Sequence, residues 1–386
     1  MLLDLLSGRH REPAGCVVKV GVARQEVRDL YPLLAEVRVE HHRFRPWTAT
    51  LTFESRRDEK GRYAVQDAGI FSLWEPILLE ASFGSASEEL LRGYVREVQA
   101  TYPQDPAAAT LAVQCQDASL ALDRQHVRKA WGNAQVPTSD ALILAEILGK
   151  NGLAPHPLNG PGLSGLVLYQ DSTDVAFLRS RAEANGYELI FRDGAVYFGP
   201  MRLQGEPQAT LAVYAGPDTC CSDVKVTADA HQPEKVAYQV APASGTSAEE
   251  HTVEPDLPLL GSEPAAGGGP GLKDFVWRLR RTGTAGDEEL KALAQAKVNE
   301  LSLRIRAEGE LDGTLYGHVL QVGATVPLDG VGERLNGLYY VDRVTHRFTP
   351  DGYRQSFRLL RNAYGDNVPG GTAGAIGSLA ASVALF

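Results

Sequence analysis

The chain is short of the features that define several protein classes. It has four cysteines in 386 residues and none of them forms a C-x-x-C pair, so a disulfide framework is not expected. No apolar run approaches the roughly 18 residues that a membrane-spanning helix needs. The first twelve residues carry Asp4 inside a short apolar stretch without a cationic lead, which argues against a signal peptide. We therefore expect a protein that is made and folds in a reducing cytoplasm.

A basic excess is also missing. Lysine and arginine number 38 and aspartate and glutamate 48, which gives a formal net charge of −10. Counted along the chain, residues 1–130 carry 17 basic and 18 acidic side chains, residues 131–275 carry 8 and 18, and residues 276–386 carry 13 and 12. The acidic excess thus lies in the middle of the chain. No third has the positive charge that stable binding to nucleic-acid phosphates requires, so neither a nucleic acid nor a membrane is expected as a partner.

What the sequence does contain is β-strand patterning. In Trp47–Glu54, apolar and polar residues alternate with a period of two, and the polar positions are mostly threonines. Similar alternation recurs before and after this segment, up to about residue 131. The pattern predicts a first β-barrel or β-sandwich over residues 14–130, preceded by an N-terminal arm, 1–13.

Residues 131–200 change to a mixed pattern. Ser139 and Thr173 each stand directly before an aspartate and an apolar helical stripe, which is a helix N-terminus signature. A hairpin with its turn at Asp193-Gly194 follows the second helix. We predict a compact α+β module inserted between two β units.

β-Patterning resumes after the module. We predict a second β-barrel unit made of residues 201–245 and 274–365, interrupted by a Gly- and Pro-rich loop at 246–273. The second part contains a helix at 287–302 and a hairpin that turns at Thr349–Gly352. Residues 366–386 are predicted as a flexible tail. The overall fold class is mainly β (α+β overall). The two β units have similar size and strand content, which favours duplication, but no sequence repeat between them is identified.

Paired carboxylates and several histidines are the residues that could carry acid–base or metal chemistry. The adjacent carboxylate pairs stand in polar, loop or helix-start contexts, which favours solvated charge over acid–base catalysis; they are Glu88-Glu89, Glu249-Glu250 and Glu288-Glu289. The histidines that could serve a metal show no ligand spacing, and two neighbours on a strand point to opposite faces; they are His41, His42, His318 and His346.

The remaining motifs are incomplete. Ser164 lacks the G-x-S-x-G elbow, and Gly267–Gly271 lacks the lysine of a phosphate-binding loop. Arg278–Arg281 is most simply a solvated strand end, and Cys220-Cys221 a pair of buried thiols. The sequence therefore predicts no enzyme: no catalytic residue, no cofactor-binding residue and no metal ligand.

A set of local signatures in fixed order carries a family resemblance. Residues 138–198 show a capped helix, then Gln170, Asp174, Phe177-Leu178 and Arg181-Ala182, then Asn185-Gly186-Tyr187 and Asp193-Gly194. Near the C-terminus stand Val322-Gly323, Val326-Pro327-Leu328, Asn336-Gly337-Leu338-Tyr339-Tyr340-Val341, His346-Arg347-Phe348 and Phe357-Arg358-Leu359. Together, over about residues 15–365, they resemble the phage late control D family. That family comprises the central baseplate hubs of contractile phage tails and the hub part of VgrG spikes.

The resemblance implies a homotrimer in which two barrel-like domains per subunit form a six-fold-like ring. Such a ring would join the tail tube, or its initiator protein, to a trimeric spike, would contact other baseplate proteins and would leave a polar central channel. VgrG proteins continue into a spike that this chain lacks, so the resemblance implies a stand-alone hub within an assembled tail or injection particle. We expect residues 366–386 to contact the spike or a baseplate neighbour.

One alternative stays open at this stage. Puncturing devices often carry a cell-wall hydrolase or a peptidoglycan-binding module, and the size of the α+β module is compatible with the latter. The missing carboxylate or metal constellation argues against the hydrolase. The position of the module between two β units argues against an independent binder.

Overall fold

A computed structural model describes residues 13–240, 249–266, 271–279 and 287–368. Most of the predicted N-terminal arm, part of the predicted loop 246–273 and the tail from residue 369 onward lie outside the described residues. The described helices are α1 (Ser119–Leu122), α2 (Asp140–Lys150), α3 (Asp174–Asn185), α4 (Asp287–Ser302) and α5 (Gly313–Tyr316), with short 3-10 turns at Arg28–Leu33, Pro106–Ala108 and Gly216–Asp218. The described strands of the first β unit are β1 (Ala14–Val20), β2 (Gln25–Glu26), β3 (Leu34–His42), β4 (Thr48–Glu54), β5 (Pro76–Phe83), β6 (Ala86–Thr101) and β7 (Thr110–Asp117).

The described strands of the module are β8 (His126–Trp131), β9 (Thr138–Ser139), β10 (Ala154–Pro155), β11 (Ser164–Leu166), β12 (Leu168–Thr173), β13 (Glu188–Arg192) and β14 (Ala195–Gly199). Those that follow are β15 (Leu211–Ala212), β16 (Cys221–Ala228), β17 (Lys235–Val240), β18 (Glu249–Val253), β19 (Glu263–Pro264), β20 (Val276–Arg278), β21 (Ile305–Asp312), β22 (Thr325–Asp329), β23 (Gly337–Thr349), β24 (Gly352–Arg361) and β25 (Ala363–Tyr364).

One large sheet runs through both β units. Its strand order is β16-β21-β24-β23-β3-β4-β7-β6-β5-β1-β2, with β22 paired to β23 and β15 to β22. The mainly β fold is thereby confirmed. The two units are joined edge to edge where β3 pairs with β23, and within the described residues no backbone pairing closes either unit into a separate barrel. One apolar core of buried side chains from both units lies against this sheet.

The two units are structural repeats of each other. Strands β5, β6, β7, β4 and β3 of the first unit correspond to β22, β23, β24, β21 and β16 of the second, with the same neighbours. Arg38, Thr50, Gln114 and Glu97 lie side by side on β3, β4, β7 and β6. Lys225, Glu308, Arg358 and Arg343 lie side by side on the four equivalent strands. The duplication that size and strand content favour is therefore visible in the strand register.

A β-bulge marks the same position in both units. The register of β6 shifts between Val95 and Glu97, and that of β23 shifts between Val341 and Arg343. Val95 exchanges hydrogen bonds with the backbone of Trp74 and Glu75, at 2.8 and 2.9 Å, and Val341 does so with Gly323 and Ala324, at 3.1 and 3.0 Å. Trp74 and Gly323 both have positive φ, 69° and 79°. The short sequence match Tyr94-Val95-x-x-Val98 with Tyr340-Val341-x-x-Val344 carries this repeat.

Gly93, directly before the first bulge, allows two backbones to approach closely. A Cβ atom at this position would stand 1.9 Å from the Gln116 carbonyl oxygen. We expect Gly93→Ala to lower the free energy of unfolding by about 1–3 kcal/mol. Gly149, an exposed residue of α2 with no heavy atom within 4 Å of its Cβ position, is the matched control, and Gly149→Ala should raise stability by about 0.5–1 kcal/mol. Urea unfolding followed by circular dichroism measures both, and equal shifts would contradict the packing argument.

The α+β module folds as the sequence predicts locally. The side chain of Ser139 caps α2 by accepting from the Leu142 N–H, and the side chain of Thr173 caps α3 by accepting from the Ala176 N–H. The turn between β13 and β14 has positive φ at both central residues, as a type I′ hairpin requires. A second apolar core lies between α2, α3 and this hairpin.

Helix α4 spans the residues predicted for it and packs on a separate small sheet. That sheet has the order β18-β17-β20, and its third core includes Val236, Tyr238, Leu290, Ala294 and Val298. The range 246–273, whose composition predicts a loop, contains strands β18 and β19 in its described part. Strand β18 forms because its alternating residues pair with β17 over Val236–Val240, and β19 pairs with β25.

Candidate functional site

The junction between the two β units, here called the seam, is the pairing of β3 with β23 from Val37–Phe348 to His42–Arg343. A chain of polar side chains is buried at its centre. Tyr353 Oη lies 2.8 Å from His346 Nδ1, His346 Nε2 lies 3.1 Å from His41 Nδ1, and His41 Nε2 lies 2.7 Å from the Leu90 carbonyl oxygen. One assignment satisfies every atom: each group donates to the next, from the tyrosine hydroxyl to the carbonyl, and both imidazoles are neutral.

The seam histidines are held uncharged. Burial lowers the pKa of His346 to about 3. Burial, and next the neighbouring His346, hold the pKa of His41 well below its usual range. The ring of His41 also stacks on Trp47 with 3.8 Å between centroids, and Tyr353 stacks on Phe348 at 3.9 Å. From the sequence the two histidines are candidates only as metal ligands, whereas in the structure they form a hydrogen-bonded bridge between the units.

Arg43 ties the end of the seam to three other elements. Its side chain is 1% exposed and its Nε donates to Glu188 of β13 over 2.6 Å. The guanidinium also contacts Glu300 of α4 at 3.1 Å and Asp342 of β23 at 3.3 Å. The other oxygen of Glu188 accepts from the Tyr340 hydroxyl over 2.7 Å. Burial acts to lower the pKa of Arg43, but the three carboxylates and Tyr340 raise it above its ordinary value, so the arginine is charged.

A second arginine joins the module to helix α4. Arg181 of α3 donates to Asp140 of α2 over 2.7 Å and to Glu289 of α4 over 3.1 Å. The remaining oxygen of Asp140 accepts from Asn185 and from the Leu163 N–H. With Arg43, this cluster fixes the module and α4 against the large sheet.

One face of the large sheet is polar across both units. The inward side chains of its strands enter the main core, and the outward side chains are half-buried or exposed. We call these outward residues the polar face: Thr48, Thr50 and Thr52 of β4, Glu36, Arg38 and Glu40 of β3, Gln114 of β7, Arg343, Thr345 and Arg347 of β23, Arg354, Ser356 and Arg358 of β24, and Glu308, Glu310 and Asp312 of β21.

The charges of the polar face neutralise one another locally. Arg347 pairs with Glu36 at 2.7 Å, Arg358 with Glu308 at 2.8 Å and Arg354 with Asp312 at 3.0 Å. A surface with this composition lacks the aromatic and apolar anchors of a tight protein interface. Its composition is suited to contact with water.

Besides the two-residue strands β2 and β15, two strand edges of the large sheet lie open in the part of the chain that the structure describes. Strand β16 has β21 as its neighbour on one side. Strand β6 has β5 beside it as far as Tyr94, but from Arg96 to Thr101 it pairs with β7 alone, and all six residues are exposed. In the second unit the corresponding half of β23 is covered by β3.

The residues weighed as chemical candidates are dispersed and take structural roles. Glu88 accepts from the Val319 N–H and lies 2.9 Å from His318 Nδ1, and Glu89 pairs with Arg92. Glu88, Glu89 and His318 line a shallow groove of about 370 Å³ beside the turn of the β13–β14 hairpin. His41 and His42 point to opposite faces of β3, as the strand period predicts.

The other candidates are equally separate. Cys220 and Cys221 are buried thiols with 3.9 Å between sulfur atoms, and Ser164 is exposed on β11. Glu250 pairs with Arg278, and Gly267–Pro270 and Arg280-Arg281 lie outside the described residues. Within the described ranges no three His, Cys, Asp or Glu residues are grouped to hold a metal ion. None of the described helices has the length and apolarity to cross a membrane.

Solved structures with the same fold come from phage tails and from type VI secretion. The prophage MuSo2 43 kDa tail protein of Shewanella oneidensis aligns with a TM-score of 0.67 and 12% identity over 90% of this chain and 98% of that one. A tail protein of Neisseria meningitidis MC58 aligns with a TM-score of 0.62 and 12% identity over 91% and 97%. The E. coli c3393 protein, described as a type VI secretion component similar to the T4 tail proteins gp27 and gp5, aligns with a TM-score of 0.53 and 12% identity over 90% and 78%.

No curated protein matches the chain. A family model described as the Alg8 N-terminal domain matches residues 14–350. This match does not confirm the late control D family of the sequence resemblance, and the similarity to phage-tail structures concerns the fold. Because this family model spans most of the chain and both β units, the protein belongs to the Alg8_N family.

Proposed function

We propose that the chain is a structural baseplate hub of a contractile phage tail or a related injection system. In this role three copies form an adaptor between a six-fold tail tube and a trimeric spike. The observation that carries the proposal is the internal repeat: one subunit holds two equivalent β units in a single sheet, so three subunits present six. A ring of six equivalent units matches a six-fold tube on one side while retaining three-fold symmetry for the spike.

The polar face supports the second part of the role, a channel. It runs from β7 to β21 through both units, and most of its charged side chains form local ion pairs. We propose that it lines the lumen, where a neutral, hydrated surface holds no tight partner and lets cargo pass. The function proposed is mechanical and requires no catalytic residue, cofactor or metal.

The solution mass tests the proposal. Light scattering on the purified chain should give a trimer of three times 41.7 kDa, either for the chain alone or, after addition of its cognate spike protein, as a complex whose mass is that of this trimer plus the spike trimer. The control is the same chain with an unrelated trimeric protein, which should leave the mass unchanged. A chain that stays monomeric with the spike contradicts the hub assignment, and cleavage or pelleting of purified peptidoglycan would favour the hydrolase or binder instead.

A further inference from the structure

The internal repeat has one asymmetry, which lies at the open edge of β6. In the second unit, the side of β23 that faces away from β24 is occupied along its length, first by β22 at Gly337–Tyr340 and then by β3 from Arg343 to Phe348. In the first unit, β5 occupies the equivalent first half of β6, but the second half, Arg96–Thr101, has no neighbour on that side among the described residues.

The strand that would fill this gap is identified by the repeat itself. The equivalent of β3 is β16, because β3 pairs with β4 as β16 pairs with β21. Strand β16 lies at the far end of the same sheet, seven strands from β6, and its outer edge is open in the described part of the chain. Within the described part of one subunit β16 therefore does not reach β6, and the strand that the repeat assigns to the gap is β16 of another copy.

We infer that β16 of one subunit pairs antiparallel with Arg96–Thr101 of β6 in the next subunit, and that this contact closes the ring. The inference rests on the proposed trimer and assigns its interface. The strand directions agree with it. The eight strands from β16 to β6 alternate in direction, so copies placed end to end bring the two edges together in antiparallel orientation, as in the seam.

The seam also fixes the register of this interface. There Arg347 stands opposite Arg38 and Thr345 opposite Glu40. The equivalents of Arg347 and Arg38 are Thr101 and Lys225, and those of Thr345 and Glu40 are Gln99 and Thr227. Gln99 is thus expected opposite Thr227, both on the outward side, with Ala100 opposite Val226 on the inward side.

The composition of the two edges suits such pairing. Ala100 is exposed and Val226 half-buried although both lie on the core side of their strands, so a neighbouring strand would cover apolar surface. Neither Arg96–Thr101 nor Cys221–Ala228 contains a proline, and an open edge of this length invites association unless it is paired in the assembly. A contact between two different edges is heterologous and forms a closed ring rather than a two-fold dimer when the rotation closes.

Cysteine cross-linking tests the register directly. Full-length Gln99→Cys and Thr227→Cys chains are co-expressed, purified together and mildly oxidised. We expect a disulfide-linked two-chain product from the mixture and none from either variant alone, because each edge meets the other kind. The doubly substituted chain, Gln99→Cys with Thr227→Cys, should give covalently closed trimers.

Ser222→Cys is the matched control. Ser222 is an exposed residue of the same strand, five residues and roughly 16 Å from Thr227, too far for a disulfide with position 99. Co-expression of the Ser222→Cys and Gln99→Cys chains should give at least tenfold less disulfide-linked two-chain product than co-expression of Thr227→Cys and Gln99→Cys. Equal yields in the two mixtures, or linked dimers from Gln99→Cys alone, would overturn the assigned interface.

Light scattering of the wild type tests the proposed trimer separately from the β16–β6 contact. Thermal melting confirms that each variant folds. A wild-type trimer without specific linkage between positions 99 and 227 leaves the hub standing and overturns the β16–β6 contact. A wild type that neither trimerises with its spike nor yields linked chains overturns both.

Discussion

Arg43→Met should lower the free energy of unfolding by about 3–5 kcal/mol, the cost of leaving a buried charge without its partner. The carboxylate of Glu188 is 1% exposed and would retain only the Tyr340 hydroxyl as a close donor among the contacts described above. Adding Glu188→Gln to Arg43→Met should recover part of the loss, because the amide is neutral and its oxygen still accepts from Tyr340. Denaturant unfolding of both single variants and the double variant measures the coupling.

Arg347→Met is the control for this cycle. Arg347 is also an arginine next to the seam with a carboxylate partner, Glu36 at 2.7 Å, but its side chain is 58% exposed. Its loss should cost below about 1 kcal/mol, since exposed ion pairs contribute little. Similar decreases in the free energy of unfolding for Arg43→Met and Arg347→Met would mean that burial does not determine how much Arg43 contributes to stability.

Acid should destabilise the protein through the seam histidines. In the unfolded chain an imidazole binds a proton below about pH 6.5, whereas folded His346 does so only near pH 3. The unfolded state therefore binds more protons between these values. The stability contribution is present above about pH 6.5 and is lost as the pH falls, at about 1.4 kcal/mol per pH unit for each histidine.

His346→Gln isolates this effect. The amide nitrogen of glutamine can donate to His41 and its oxygen can accept from Tyr353, so the hydrogen-bonded chain is retained without a titrating ring. As the pH falls from 6 to 4, the free energy of unfolding should decrease less steeply for this variant than for the wild type. The expected difference between the two slopes is about 1.4 kcal/mol per pH unit. His231→Gln, on the surface away from the seam, controls for the change in net charge.

The pH dependence of the wild type alone does not isolate the histidines, because Asp117 changes stability with pH in the opposite direction. Burial raises the pKa of Asp117 to about 6, so the folded state binds this proton more readily and stability is gained as the pH falls from about 6 to 4. Subtracting the variant curve from the wild-type curve removes this contribution. Parallel curves for His346→Gln and the wild type would show that the seam is not the acid-sensitive element.

The local elements could be predicted from the sequence. Alternation in Trp47–Glu54, the caps Ser139 and Thr173, the Asp193-Gly194 turn and helix 287–302 were all predictable, because each depends on residues close in the chain. The outward threonines of β4 were also identifiable. The mainly β class follows from these elements together.

How the elements join became visible only in the folded chain. His41 and His346 are 305 residues apart, as Arg43 and Asp342 are 299 apart, and no periodicity indicates such partners. The repeat was hidden for the same reason: its evidence is strand order, a shared bulge and cross-strand register, while the matching residues Tyr94-Val95 and Tyr340-Val341 are too few to stand out. Strand alternation separates an apolar from a polar face within each strand, but it does not show how the faces of different strands combine. In the folded chain both units bury their apolar sides in one core and leave one polar face and the open edges of β16 and β6 outside.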